Sequence, residues 1–160
     1  RSHISEMVEA YKKWSANAIE KKAVIVYDTM WHSTEKIAKA VYNAFKAKQY
    51  DVVMYNLQHI HISDVMTDVL DAEYVCVGSP TLNNNMMPPV SAFLTYMKGL
   101  APKNRKGMAF GSYGWGGQSV GQIEDILKES GFEMLDQIRM QYIPDPIELG
   151  ENVEKVLMVV

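Results

Sequence analysis

Apolar residues along the chain fall either into short continuous runs or into stretches with helical spacing. The continuous runs predict buried strands, because neither face of such a run is polar. They lie at residues 23–27, 51–55, 73–78 and 106–111. The other stretches have apolar residues every three or four positions, which predicts amphipathic helices. These lie at residues 37–45, 63–70, 90–97 and 120–127.

A fifth strand is predicted through Ile138, Met140 and Tyr142, where apolar and polar residues alternate. Strands and helices then alternate along the chain, which indicates right-handed crossovers. The predicted fold class is α/β, a doubly wound five-stranded parallel sheet of order 2-1-3-4-5 with helices on both faces. We expect Ser63 to cap the second helix and Gly99 to end the third.

Both ends of the chain carry apolar stripes that this plan does not need. Residues 4–14 place one stripe before the first strand, so we interpret residues 1–20 as a connector helix from an upstream domain. Residues 21–160 then form the α/β domain. A second stripe, from Leu149 to Val160, still continues at the last residue, which predicts that the C-terminal helix is truncated.

Composition limits the possible functions. A chain of 160 residues with 48% hydrophobic and 22% charged residues suits one globular domain. The net charge of -3 offers no basic field for nucleic acid, and no apolar stretch approaches the roughly 20 residues of a membrane span. The lone Cys76 cannot form an internal disulfide, which suits a cytoplasmic protein and a core position.

Candidate chemistry lies in three loops that follow strands one, three and four. Ligands of doubly wound sheets bind outside the carboxyl ends of the strands, where these loops meet. The loops are DTMWHST at 28–34, SPTLNNNMMPP at 79–89 and SYGWGGQS at 112–119.

The first loop carries hydroxyl groups directly before a helix. The backbone N–H groups of a helix start lack internal partners and attract anions. Thr29, Ser33 and Thr34 can add hydrogen bonds, and the loop has no Lys or Arg, so a phosphate would be held by neutral dipoles. The alternative, that Ser33 or Thr34 only caps the helix, stays open. His32 either covers the phosphate or faces water.

The second and third loops suit a planar ligand. Asn83 to Asn85 tolerate positive φ, so a tight turn there can present peptide groups to a ligand edge. In the third loop, glycines around Tyr113 and Trp115 allow close backbone approach beside two aromatic faces. Taken alone, each could equally be an ordinary polar loop.

Other ligand-binding motifs are missing from the sequence. No Gly-x-x-x-x-Gly-Lys-Ser/Thr string exists, and the glycines cluster after the fourth strand rather than after the first. Ser79 stands where a phospho-acceptor domain would have Asp. A His-x-His pair at His59 and His61 lacks a nearby carboxylate or Cys, so we expect no metal site.

Three motifs together, YDTMWHSTEKIA, GSPTLNNNMMP and AFGSYGWGGQSV, resemble the FMN-binding loops of the flavodoxin-like domain of flavodiiron proteins, also called A-type flavoproteins. The resemblance spans roughly residues 20–150. It implies a flavodoxin-like fold with FMN phosphate on the first loop and the isoalloxazine between the other two. The cofactor-binding residues it implies are Thr29, Met30, Trp31, His32, Ser33, Thr34, Pro80, Thr81, Asn83, Asn84, Ser112, Tyr113, Gly114, Trp115, Gly116 and Gly117.

The same resemblance implies an electron-transfer domain of an oxidoreductase. Complete flavodiiron proteins pass electrons from a donor protein or reduced cofactor through FMN to a di-iron site, which reduces dioxygen or nitric oxide. This chain has four His and no His-x-Glu-x-Asp cluster, so we expect the di-iron site in an upstream domain, within a homo-oligomeric parent. A free-standing flavodoxin-type carrier, a flavin-free interaction domain and a flavin-dependent quinone reductase remain alternatives.

Overall fold

The computed structural model describes residues 3–160. It contains twelve elements that alternate largely as predicted. The helices are α1 His3–Ser15, α2 Ser33–Ala47, α3 Ile62–Val69, α4 Pro88–Leu100, α5 Gln118–Glu129 and α6 Pro146–Leu157. The strands are β1 Glu20–Tyr27, β2 Asp51–Asn56, β3 Ala72–Gly78, β4 Lys106–Tyr113, β5 Glu133–Met134 and β6 Ile138–Gln141.

All strand pairs of the sheet are parallel, in the order β2-β1-β3-β4, with the fifth position next to β4. Two short strands share that position: β5 pairs with the beginning of β4 and β6 with its end. The predicted α/β class and the order 2-1-3-4-5 are therefore confirmed.

Helices cover both faces of the sheet. Successive strand residues point to opposite faces, so Ile25 joins a core with Val41 and Phe45 of α2 and with residues of α6. The neighbouring Val24 joins a second core with residues of α3, α4 and α5. Because both faces are covered, the central strands are buried almost throughout, as their continuous apolar runs predicted.

Several predicted element ends were wrong. Tyr142 lies one residue beyond β6 with a φ of 55°, and such a left-handed residue cannot continue a strand. His61, rather than Ser63, caps α3, because its Nδ1 accepts the Ser63 N–H at 3.3 Å. Gly99 lies inside α4, and Ala101 takes the left-handed conformation that ends it.

The two terminal helices differ in how they pack. None of the described residues of α1 is buried. Helix α6 packs on α2 through its buried stripe and ends at Leu157. The domain boundary near residue 20 and the truncation of the C-terminal helix stay predictions. Within residues 3–160, no helix combines the length and the apolar character that crossing a membrane requires.

Candidate functional site

A cavity of about 590 Å³ opens at the carboxyl ends of β1, β3 and β4. This volume lies within the usual range for small-molecule sites, about 300–1,000 Å³. All three predicted loops contribute to it, together with one residue that follows β6. The lining residues are Met30, Trp31, Ser33, Pro80, Thr81, Asn83, Asn84, Ser112, Tyr113, Gly114, Trp115, Gly116 and Tyr142.

A buried carboxylate, that of Asp28, fixes the first loop through hydrogen bonds. Asp28 is 1% exposed, and its Oδ1 accepts the Thr29 N–H at 2.7 Å and the Gln58 Nε2–H at 2.6 Å. The same Gln58 amide also donates to the Thr29 carbonyl. Gln58 follows β2, so it ties the first loop to the neighbouring strand. We call these three residues the Asp28 clasp.

Helix α2 begins at this loop without a side-chain cap. Its N-cap residue His32 is left-handed, with a φ of 60°, and makes no capping hydrogen bond. Its Nδ1 lies instead 2.7 Å from the Glu35 carboxylate. Hydrogen bonds from Lys39, at 2.6 Å, and from His32 lower the pKa of Glu35. The acid in the first turn is thus paired with the Lys39 ammonium and hydrogen-bonded to His32, and the helix start stays favourable for an anion.

Two threonines of this loop have buried side chains. The Thr34 hydroxyl lies 3.0 Å from the Ser112 Oγ, so it joins the first loop to the third rather than facing the cavity. The Thr29 Oγ1 is buried and has no hydrogen-bond partner among the described residues. Buried polar atoms without partners are rare, and each calls for an explanation such as an absent ligand or water.

The second loop is a tight turn pinned to α5. Asn83 and Asn84 have φ values of 49° and 62°, which confirms the expected positive φ for these two residues. Leu82 and Asn85 close the turn with two backbone hydrogen bonds. Gln122 of α5 donates to the Asn84 carbonyl at 3.2 Å and to the Asn85 side chain at 3.0 Å. Peptide groups at the tip are therefore fixed beside the cavity.

The cavity wall is uncharged, and its rim is aromatic. None of the lining residues is Asp, Glu, Lys or Arg. Trp31 is 84% exposed and Trp115 is 96% exposed, so both indole faces are available to a ligand. Gly114 and Gly116, on either side of Trp115 in the sequence, also line the wall, where the backbone can come close to a ligand.

Twelve of the sixteen predicted site residues line the cavity, and Thr29, His32, Thr34 and Gly117 do not. Gly117 is the N-cap residue of α5, and a Cβ at this position would lie 3.3 Å from the Tyr113 ring. Sequence reasoning missed two residues. Gln58 gave no signal, whereas Tyr142 could have been found from its place at the carboxyl end of the strand next to β4.

The thiol and the histidine pair considered from the sequence do not take part in the cavity. Burial raises the pKa of the Cys76 thiol, in keeping with the core position predicted for it. His61 serves as the cap of α3. The described part of the chain places no three His, Cys, Asp or Glu side chains where they could share a metal ion.

A doubly wound parallel sheet with a ligand-sized cavity at its switch point defines a class of ligand-binding α/β proteins. The family model for flavodoxin matches residues 25–155, so the chain belongs to the flavodoxin family.

Individual relatives show which proteins with a flavodoxin-family domain the chain is similar to. The chain is 41% identical over 157 residues to the nitric oxide reductase of Moorella thermoacetica. The aligned region covers 97% of this chain and 38% of that protein. The solved structure of rubredoxin oxygen:oxidoreductase from Desulfovibrio gigas superposes with a TM-score of 0.89 at 35% identity, over 97% of this chain and 39% of that one. These matches confirm the predicted resemblance to flavodiiron proteins.

A flavodoxin from the domain Archaea gives a TM-score of 0.75 at 27% identity, over 84% of this chain and 92% of that chain. The present chain thus spans under two fifths of its enzyme relatives and matches nearly all of a flavodoxin.

Proposed function

We propose that this chain is the FMN-binding electron-transfer domain of a flavodiiron oxidoreductase. The observation that carries the proposal is the uncharged cavity, because twelve residues implied by the sequence resemblance converge there from three separate loops. The flavodoxin family match and the names of the oxidoreductase relatives support the same cofactor class.

The residues at the cavity suit the parts of FMN. Ser33 and the uncapped start of α2 would hold the phosphate. The Thr29 hydroxyl, which is buried in the same loop and has no partner among residues 3–160, is a further candidate donor to that group. The Trp115 indole and the peptide groups at Asn83 and Asn84 would hold the planar ring, while Trp31, in the first loop, would cover the phosphate end. Bound FMN would supply reversible electron uptake, while the protein supplies orientation and electrostatics.

The parent protein would contain the electron acceptor. We propose that an upstream domain holds a di-iron site that reduces dioxygen or nitric oxide, and that the parent is a cytoplasmic homo-oligomer. The fraction of each enzyme relative left uncovered, about three fifths, supports a further domain. Helix α1 supports it too, because Ile4, Met7 and Tyr11 are exposed apolar residues that a neighbouring domain could cover.

A free-standing flavodoxin-type carrier is the second candidate. It is favoured by the archaeal flavodoxin, of which this chain covers 92%. The coding sequence upstream of Arg1 separates the two candidates. We expect a metal-binding hydrolase-like domain there, and a start codon directly before Arg1 would favour the carrier.

The cofactor itself is tested by titrating the chain with FMN while following tryptophan fluorescence. We expect saturation at one FMN per chain, with fractional quenching that falls when both Trp31 and Trp115 are replaced by Leu. Because both indoles line the cavity and the remaining tryptophan, Trp14, lies on α1, the same fractional quenching in the double variant would place the flavin elsewhere. The absence of saturable binding would contradict the proposed function.

A further inference from the structure

Tyr142 lines the cavity although it belongs to none of the three loops. Its backbone φ is 55°, in the left-handed region that bulky residues rarely adopt. Four of the eight non-glycine residues with positive φ in the described range are Asn, which tolerates this conformation. Tyr142 is the only Tyr, Phe or Trp among the eight.

The fold imposes this turn from both sides. The Tyr142 N–H donates to the Tyr113 carbonyl at 2.7 Å, directly after Gln141 pairs with Tyr113 in the sheet. Two residues later the chain is anchored again by the buried Pro144, which restricts the preceding residue to extended conformations. The change of direction therefore falls on residue 142. A glycine would make this turn at lower cost, yet the position holds a tyrosine.

The tyrosine ring is placed along the third loop. Its Cε1 lies 3.8 Å from the point that a Cβ on Gly114 would occupy, so it lies beside backbone that carries no side chain. Tyr142 is 58% exposed and reaches the cavity. Within the described residues its hydroxyl takes part in no side-chain hydrogen bond, so both the ring and the hydroxyl are available to a ligand, and the variants below separate the two.

Backbone strain tends to persist where it serves a site. We infer that Tyr142 contacts the planar ring of bound FMN as a fourth wall of the site, and that its left-handed backbone is retained for this contact. The inference rests on the proposed function, since it names a further residue of the same FMN site. It adds a segment after β6 to the three loops that the sequence resemblance implied.

Three variants test the inference. Tyr142→Gly removes the ring and relieves the backbone, Tyr142→Phe keeps the ring without the hydroxyl, and Gln49→Gly is the matched control. Gln49 has a φ of 62°, is exposed and follows α2 at the opposite end of the sheet. FMN affinity is measured by calorimetry, and the unfolding temperature of each FMN-free protein by circular dichroism.

We expect both glycine variants to unfold at a higher temperature than the wild type, because glycine adopts positive φ without strain. Tyr142→Gly should bind FMN about tenfold more weakly, as expected for one lost aromatic contact. Tyr142→Phe should stay within about twofold of the wild type, because the ring surface is unchanged. Gln49→Gly should bind FMN as the wild type does.

The contradicting results are distinct. If the wild type binds FMN and Tyr142→Gly binds it equally well, the inference is wrong while the proposed function stands. If Tyr142→Phe loses as much affinity as Tyr142→Gly, the hydroxyl rather than the ring makes the contact, and the inference is again wrong. If the wild type itself does not bind FMN, both the proposed function and the inference that rests on it are wrong.

Discussion

Replacing Gln58 with Met tests whether the Asp28 clasp holds the first loop. The Gln58 amide donates to the Asp28 carboxylate at 2.6 Å and to the Thr29 carbonyl, and Asp28 is 1% exposed. Met has a similar length but cannot donate a hydrogen bond. The variant therefore leaves a buried carboxylate with the Thr29 N–H as its remaining donor among the described residues.

The expected cost follows from the exposure of the two partners. A hydrogen bond to a charged group contributes about 1.5–3 kcal/mol. Gln58 itself is exposed, so water can enter and replace part of the lost interaction. We therefore expect the free energy of unfolding to fall by about 1–2 kcal/mol, which is less than the full contribution of such a hydrogen bond.

Urea unfolding at 25 °C measures this change, with Gln137→Met as the matched control. Gln137 is exposed and accepts a hydrogen bond from Arg139, and such surface substitutions usually stay within about 0.5 kcal/mol. The FMN affinity of Gln58→Met should fall more than its riboflavin affinity, because the loosened loop holds the phosphate. Equal stability of the two variants would refute the clasp, and an unchanged affinity ratio would refute its role in phosphate binding.

Two further predictions concern stability. Burial raises the pKa of Cys76 above its ordinary value of 9.0, so the stability contributed by the neutral thiol is complete below pH 9.0 and is lost as the pH rises above it. The stability advantage of the wild type over Cys76→Ala should thus shrink by about 1 kcal/mol between pH 7 and pH 10, measured by urea unfolding, and a constant difference would contradict this burial effect. Gly111→Ala should destabilise by at least about 1–3 kcal/mol, because its Cβ would lie 2.2 Å from the Ser79 carbonyl oxygen. Gly99→Ala, whose Cβ meets no atom within 4 Å, should instead stabilise α4, and equal effects of the two changes on the unfolding temperature would contradict the packing described.

The fold was predictable because the spacing of apolar residues along the chain shows which faces of each strand and helix are buried. Strands covered on both faces, such as β1 and β3, need continuous apolar runs, and alternation of strands with helices then leaves few topologies. The split of the fifth position between β5 and β6 was not predictable, because it depends on where each short segment meets β4. Helix ends were missed at His61 and Ala101, where local backbone conformation outweighed residue preference.

The candidate site was predictable to the extent that its residues lie next to each other in sequence. Residues at or within a few positions of a strand end, such as Ser112 and Met30, reach the cavity because the topology brings strand ends together. Gln58 and Tyr142 depend on contacts between distant segments and on one unusual φ value, which no local pattern encodes. Thr34 was placed in the correct loop, but its hydroxyl bonds to Ser112 instead of lining the cavity.

The central claim is that the uncapped start of α2 and the Ser33 hydroxyl hold the phosphate of FMN. Calorimetric titration of the chain with FMN and with riboflavin, which lacks the phosphate, tests it most directly. Hydrogen bonds to a charged group contribute about 1.5–3 kcal/mol each, so we expect FMN to bind at least about tenfold more tightly than riboflavin. Equal dissociation constants for the two flavins would contradict the account.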